Sequence, residues 1–129
     1  MDKTVIIIIG IVIVVAAGFW VWQSGVFAGP AISTPLPSGI VLFYGQGCPH
    51  CADVEKIIAQ NNIDSKVKIT RLEVWYNRSN AALLAQVATK DCKITTNTVG
   101  VPFLYDGNGH CYIGEVDVPN FLKAQAGIK

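Results

Sequence analysis

Cys48, Pro49, His50 and Cys51 form the stretch of this chain best able to do chemistry. It lies where an apolar run, Ile40 to Tyr44, gives way through Gly45, Gln46 and Gly47 to a helical pattern. Two thiols at this spacing at a helix start can close a small disulfide ring. The first thiol faces unpaired backbone N–H groups and the positive end of the helix dipole. That field favours a thiolate, the nucleophile of disulfide exchange. His50 lies inside the ring, where an imidazole can donate to the Cys48 thiolate or balance part of its charge. Stabilising that thiolate stabilises the reduced pair, so His50 is expected to bias the pair towards giving its disulfide away. The competing reading of His50 is a solvated turn residue.

Other chemistries fit these residues less well. A structural zinc site usually takes four ligands, and Cys92, His110 and Cys111 lack the spacing of a second ligand pair. Covalent haem attachment would need His at position 52, which is Ala52. Four cysteines allow three pairings; if Cys48 pairs with Cys51, Cys92 and Cys111 remain as a second disulfide. The alternative is two separate buried thiols. Pro102 reads either as a strand-initiating proline or as a cis proline that turns the backbone of Val101 outward to pair with a substrate peptide.

The elements that must hold these groups alternate. Ile40–Tyr44 is a continuous apolar strand of the kind buried on both faces. Pro49–Asn61 follows as a helix with Cys51, Val54, Ile57 and Ile58 on one face. Val67–Trp75 reads as a strand, and Ser79–Lys90 as a helix capped by Ser79 or Asn80. Pro102–Asp106 and His110–Gly114 flank Asp106, Gly107, Asn108 and Gly109, a hairpin signal. Asp117–Ala126 closes the chain as a helix with Pro119 early in it. The order β-α-β-α-β-β-α implies a parallel pair from the crossover and an antiparallel hairpin, hence a four-stranded mixed sheet with helices on both faces. Phe103, Leu104, Phe121 and Leu122 are expected in its core. Trp75 and Tyr76 fall near the same sheet edge as the cysteines; core packing is the expected role, a docking surface the alternative.

The first 28 residues are of another kind. No Asp, Glu, Lys or Arg occurs between Lys3 and Asp53. Val5–Trp22 is an uncharged, mostly apolar run of membrane-spanning length, with Trp20 and Trp22 where indoles favour the lipid–water boundary. Val26, Phe27 and Ala28 would serve as a signal-peptide cleavage site, but the run exceeds the usual signal core, which favours an uncleaved anchor. Lys3 is the only basic side chain near the span, so the N-terminus is expected in the cytoplasm and the rest of the chain outside it, where disulfides persist. Residues 29–39, with three prolines, read as an extended linker, and 40–129 as a folded domain. The formal net charge of +1 and the lack of a basic cluster argue against nucleic acid as a partner.

Strand, C-x-x-C at a helix start and a later Val-Pro before a hairpin together resemble the thioredoxin superfamily over roughly residues 39–128. Phe43, Tyr44 and Gly45, with Gly100, Val101 and Pro102 and then Ile113, Gly114 and Glu115, look closest to glutaredoxin-like proteins. Pro49 and His50 inside the ring are instead like the DsbA-type oxidases. The resemblance implies that Cys48 is the exposed nucleophile, that Cys51 is the shielded resolving thiol, and that Pro102 is cis and lies against them. Two features depart from thioredoxins: Gln46 and Gly47 stand where those proteins place a Trp, and the first strand carries no acid.

The expectation is a membrane-tethered, monomeric thiol–disulfide oxidoreductase outside the cytoplasm. It would act on protein thiols and disulfides without metal, flavin or nucleotide, and a membrane redox partner would reset the pair. The alternatives are a metal-binding or metal-delivery module using Cys48, Cys51 and His50, and a non-catalytic thioredoxin-like subunit.

Overall fold

The computed structural model describes residues 2–23, 35–95, 97 and 99–129. The chain divides into two units, Met1–Ile32 and Ser33–Lys129. Residues 24–34, which include the candidate cleavage site and the first part of the expected linker, lie outside the described residues.

In the first unit, helix α1 spans Lys3–Gln23, 21 residues. At 1.5 Å per residue it is about 31 Å long, close to the roughly 30 Å of a bilayer's hydrocarbon core. The stretch Lys3–Trp20 is long and apolar enough to cross a membrane. Its side chains from Val5 to Val15 are apolar on every face apart from Gly10, which gives no polar side to turn towards water.

In the second unit, β1 is Ile40–Tyr44, α2 is Pro49–Gln60 and β2 is Ile69–Glu73. Then come α3 (Arg78–Gln86), a π-helical turn over Val87–Asp91, β3 (Phe103–Tyr105), β4 (Cys111–Ile113) and α4 (Gly114–Gln125). Among the described residues the four strands form one sheet, in the order β2-β1-β3-β4. β1 runs parallel to β2, with Phe43 opposite Leu72, and antiparallel to β3, with Leu42 opposite Leu104. β3 and β4 form the antiparallel hairpin. This is the mixed α/β sheet that the element order implies.

The uninterrupted apolar run of β1 follows from its central place. Successive side chains point to opposite faces. Val41 and Phe43 join Phe103, Leu83, Leu84 and Val87 in a core on the α3 side. Leu42 joins Leu104, Val54, Ile58, Val118 and Leu122 on the side covered by α2 and α4. Val41, Leu42 and Phe43 are all essentially inaccessible; each contributes on the order of 1.5–3 kcal/mol from burial.

Several boundaries differ from the sequence reading. α3 begins at Arg78 and is capped by Asn77, whose side chain accepts from the Asn80 N–H at 3.1 Å, rather than by Ser79 or Asn80. The regular helix stops at Gln86, and its last turn widens into the π form before Cys92. α4 starts at Gly114 rather than Asp117, so Glu115 and Asp117 fill its first turn and Pro119 falls inside it. β2 ends at Glu73, which leaves Trp75 outside the strand. Phe121 is half-buried and stacks on Tyr112, with ring centroids 4.2 Å apart.

Candidate active site

The site is assembled at the C-terminal end of β1. Gly47 has φ +85°, a left-handed value that glycine adopts without a Cβ clash, and it reverses the chain into α2. The Cys48 N–H donates to the Gly45 carbonyl at 3.1 Å, closing this turn. Cys48 is itself the N-cap of α2, and Pro49 occupies the start of the helix, where a missing N–H leaves no bond unmade. The Cys48 sulfur stands where a capping Ser or Asp would place its oxygen.

Both cysteines are free. Cys48 Sγ accepts from the Cys51 N–H at 3.2 Å and from the Cys51 thiol at 2.6 Å, and its own thiol donates to the Val101 carbonyl at 3.8 Å. Burial and the hydrogen bond to Cys48 push the Cys51 thiol up to about 12 from its ordinary 9.0. Cys51 thus holds its proton, and in their hydrogen bond Cys48 is the acceptor. Cys48 is not an exposed residue: its relative accessibility is 6%, against 5% for Cys51. Both cysteines line a cavity of about 330 Å³, bounded also by Tyr44–Gly47, Pro49, Ala52 and Glu55.

Val101 and Pro102 lie in the loop just before β3, and the Val101 carbonyl reaches the Cys48 thiol. The peptide bond between them is cis, and Pro102 is fully buried. The Pro102 carbonyl accepts from the Gly114 N–H at 2.9 Å, which ties this loop to the start of α4. Because the Val101 carbonyl meets Cys48, these distant segments form one site.

His50 goes elsewhere. Its Nδ1 pairs with Glu115 Oε2 in the first turn of α4, and the ring is largely exposed. The sulfur of Cys48 has Cys51 and Val101 as its hydrogen-bond partners, not His50. Ligand atoms of His50, Asp53 and Glu115 lie within 4.8 Å of one another. The sequence names Glu115 only within the Ile113–Gly114–Glu115 stretch of the resemblance and not as a partner of His50; it lies 65 positions from His50, and the packing of α2 against α4 brings the two together.

Cys92 and Cys111 form a disulfide with a Cα–Cα distance of 5.9 Å, joining the end of the π-helical turn to β4. It packs on the α3-side core and does not share the cavity with Cys48 and Cys51. Trp75 and Tyr76 are 53% and 78% exposed, so core packing does not explain them.

Glu73 is the residue that the sequence reading missed. Its carboxylate accepts four backbone N–H groups, from Gln46 at 3.2 Å, Trp75 at 2.8 Å, Tyr76 at 2.9 Å and Asn77 at 3.1 Å. Desolvation opposes its charge, but these N–H groups outweigh it and hold the carboxyl below its ordinary value. Three of the donors shape the turn after β2; the fourth, Gln46, ties that turn to the loop before Cys48. An acid two to four residues before a loop is a local signal for such a cap. The Gln46 bond leaves no sequence signal, because it spans 27 positions.

Glu55, which lines the cavity, is held by Arg71, whose Nε and Nη2 donate to the two Glu55 oxygens at 2.8 and 3.0 Å; Nη2 also donates to Asp64 at 3.0 Å. The Glu55 hydrogen bonds outweigh desolvation and raise the Arg71 guanidinium further above its ordinary value.

No family model matches this chain, and no curated protein or solved structure matches it either. The class supported by geometry alone is therefore an α/β domain with a dithiol pair at a helix start.

Proposed function

We propose that the protein is a membrane-tethered thiol–disulfide oxidoreductase of the thioredoxin superfamily, glutaredoxin-like in its layout, with its folded domain outside the cytoplasm. The observation that carries this reading is the asymmetric dithiol. Cys48 caps the helix and receives hydrogen bonds from the Cys51 N–H and thiol, while Cys51 keeps its proton. In exchange, the Cys48 thiolate bonds to one sulfur of a substrate disulfide and the other leaves. Cys51 then gives up its proton and bonds to Cys48, expelling the first substrate sulfur and closing the ring. Two electrons pass to the substrate, and the reverse sequence oxidises a dithiol.

Protein thiols and disulfides are the proposed substrates, with Val101 and Pro102 beside the reacting sulfur. Electrons move through sulfur alone, and a membrane partner, a quinone-linked oxidase or a reductant donor, resets the pair. The apolar α1 supports the tether, and the Cys92–Cys111 disulfide supports an oxidising compartment.

The metal-binding reading names Cys48, Cys51 and His50; of these only His50 belongs to the cluster of possible ligands found among the described residues, together with Asp53 and Glu115. All three are exposed; His50 and Glu115 stand in the first turns of α2 and α4, where the positive helix ends oppose a cation, and Asp53 follows just past the first turn of α2. The test is trapping with the full chain. Cys51→Ser should accumulate mixed disulfides with substrate proteins and Cys48→Ser none. Trapping that needs only Cys51, or both residues equally, would overturn the assignment of roles.

A further inference from the structure

The motif puts His50 beside Cys48, but the fold gives it another partner. His50 stands two residues after Cys48, inside the span that the two thiols close, yet the Cys48 sulfur bonds to Cys51 and to the Val101 carbonyl. Among the described residues the hydrogen-bond partner of the imidazole is Glu115, at the start of α4. The fold fixes where that carboxylate stands. α4 packs on α2 through Val54, Ile58, Val118 and Leu122, all buried. The residue before Glu115 is Gly114, whose N–H donates to the Pro102 carbonyl at 2.9 Å. The first turn of α4 is thus held against both halves of the site, with its carboxylate beside the helix start that carries Cys48.

Reduction gives the imidazole a second anion to bond. When Cys48 is reduced and ionised, its sulfur competes with Glu115 for the same donor. The oxidised ring carries no such charge. Any hold that Glu115 keeps on the imidazole is therefore withheld from the thiolate, and the reduced pair is stabilised less than its helix start alone would allow. The His50–Glu115 pair is exposed, the ring side chain at 65% and the carboxylate at 47%. Solvent weakens such a pair, so the imidazole can divide itself between the two anions.

We infer that Glu115 is a positioning residue: by engaging His50 it draws the imidazole from the Cys48 sulfur and holds down the reduction potential of the Cys48–Cys51 pair. This rests on the exchange chemistry proposed above. Glu115 acts through His50 and is not among the hydrogen-bond partners of either sulfur.

The test equilibrates the full chain in detergent micelles with glutathione and glutathione disulfide at one fixed pH. Two glutathione thiols open the Cys48–Cys51 ring and leave as one disulfide. Alkylation and the mass of the peptide carrying both cysteines give the oxidised fraction, hence the potential. Glu115→Ala should shift the equilibrium towards the reduced protein about three- to fivefold, near the most that one exposed ion pair can release. That shift corresponds to about 15–20 mV. In the His50→Ala background the same substitution should shift it less than about 1.5-fold. Asp53, an acid of the same cluster, is the control for simple repulsion of the thiolate, and Asp53→Asn should shift the equilibrium less than Glu115→Ala does. A Glu115 that only stabilises α4 would lower the melting midpoint and leave the potential where it was. An unchanged or more negative potential in Glu115→Ala, a shift that persists without His50, or an equal shift from Asp53→Asn would each overturn the role of Glu115. Each of those results leaves the exchange chemistry standing, because the ring still equilibrates. A wild-type pair that does not equilibrate with glutathione at all would overturn both readings.

Discussion

Replacing Cys92 and Cys111 together by alanine should destabilise the folded domain without touching the exchange chemistry. The disulfide joins residues 19 positions apart. Closing a loop of that length in the unfolded chain removes about 11 cal/mol/K of entropy, or roughly 3 kcal/mol at 25 °C. For a domain of this size each kcal/mol moves the midpoint by about 4–8 °C, so the variant should melt on the order of 12–24 °C lower. The closed loop contains Val101, Pro102 and β3, yet the site should survive below the new midpoint. β3 is held by ladders to β1 and β4, and Pro102 by its bond to Gly114, and none of these passes through the sulfurs. The assay is thermal and guanidinium unfolding of the full chain in detergent, followed by near-UV circular dichroism, with and without reductant. Reductant should destabilise the wild type by about 3 kcal/mol more than the double variant, since the Cys48–Cys51 contribution is common to both. A midpoint change of a degree or two, or loss of exchange activity in the still-folded variant, would refute the reasoning.

The reduced protein should show no thiolate absorbance from Cys51 until the pH approaches about 12, and a step near 9.0 would contradict its burial. That raised value adds stability to the reduced domain that is complete below pH 9.0 and is lost as pH climbs towards 12; denaturation midpoints across that range check the sign. Glu73 and Asp106 are shifted the other way, so their contribution is present above their ordinary values of 4.5 and 3.8 and disappears as pH falls below them; Glu73→Gln should flatten the acid limb of a midpoint–pH curve. His50→Ala removes the imidazole from the start of α2 and should make the potential of the Cys48–Cys51 pair more negative in equilibrium with glutathione, about 30 mV for each 1.4 kcal/mol; an unchanged potential would leave His50 to its bond with Glu115. The chain should stay in membranes through a carbonate wash with the domain open to external protease, whereas a mature N-terminus at Gly29 or a protected domain would overturn the anchor or its orientation.

Elements ruled by local pattern were the legible ones. The unbroken apolar run of Ile40–Tyr44 reads as a strand buried on both faces, and it is an inner strand of the sheet, between β2 and β3. The turn chemistry of Asp106–Gly109 placed the hairpin, and Asp106 accepts the N–H groups of Asn108 and His110 within it. The spacing of Cys48 and Cys51 found the dithiol, and the remaining cysteines do form a disulfide. Helix starts were harder, since Asn77, Ser79 and Asn80 are all good caps and only the path of the loop held by Glu73 decides among them. His50 to Glu115 and Gln46 to Glu73 cross 65 and 27 positions, and neither pair follows any period along the chain. Exposure of Trp75 was hidden for a related reason: an apolar residue at the end of an alternating strand looks like core until the strand is seen to stop at Glu73.

The double burial of β1 also bears on how the domain opens. Native proteins come apart in cooperative pieces, and the segments with most buried contacts and ladder bonds on both sides open last. β1 is bonded to β2 on one side and to β3 on the other, with a packed core above and below. Cys48 stands four residues past its end, bound back to Gly45. The proposed nucleophile therefore follows directly on what should be the slowest-exchanging backbone of the domain. A substrate chain held to Cys48 as a mixed disulfide could fluctuate or refold while the sulfur that carries it stays in register with Cys51.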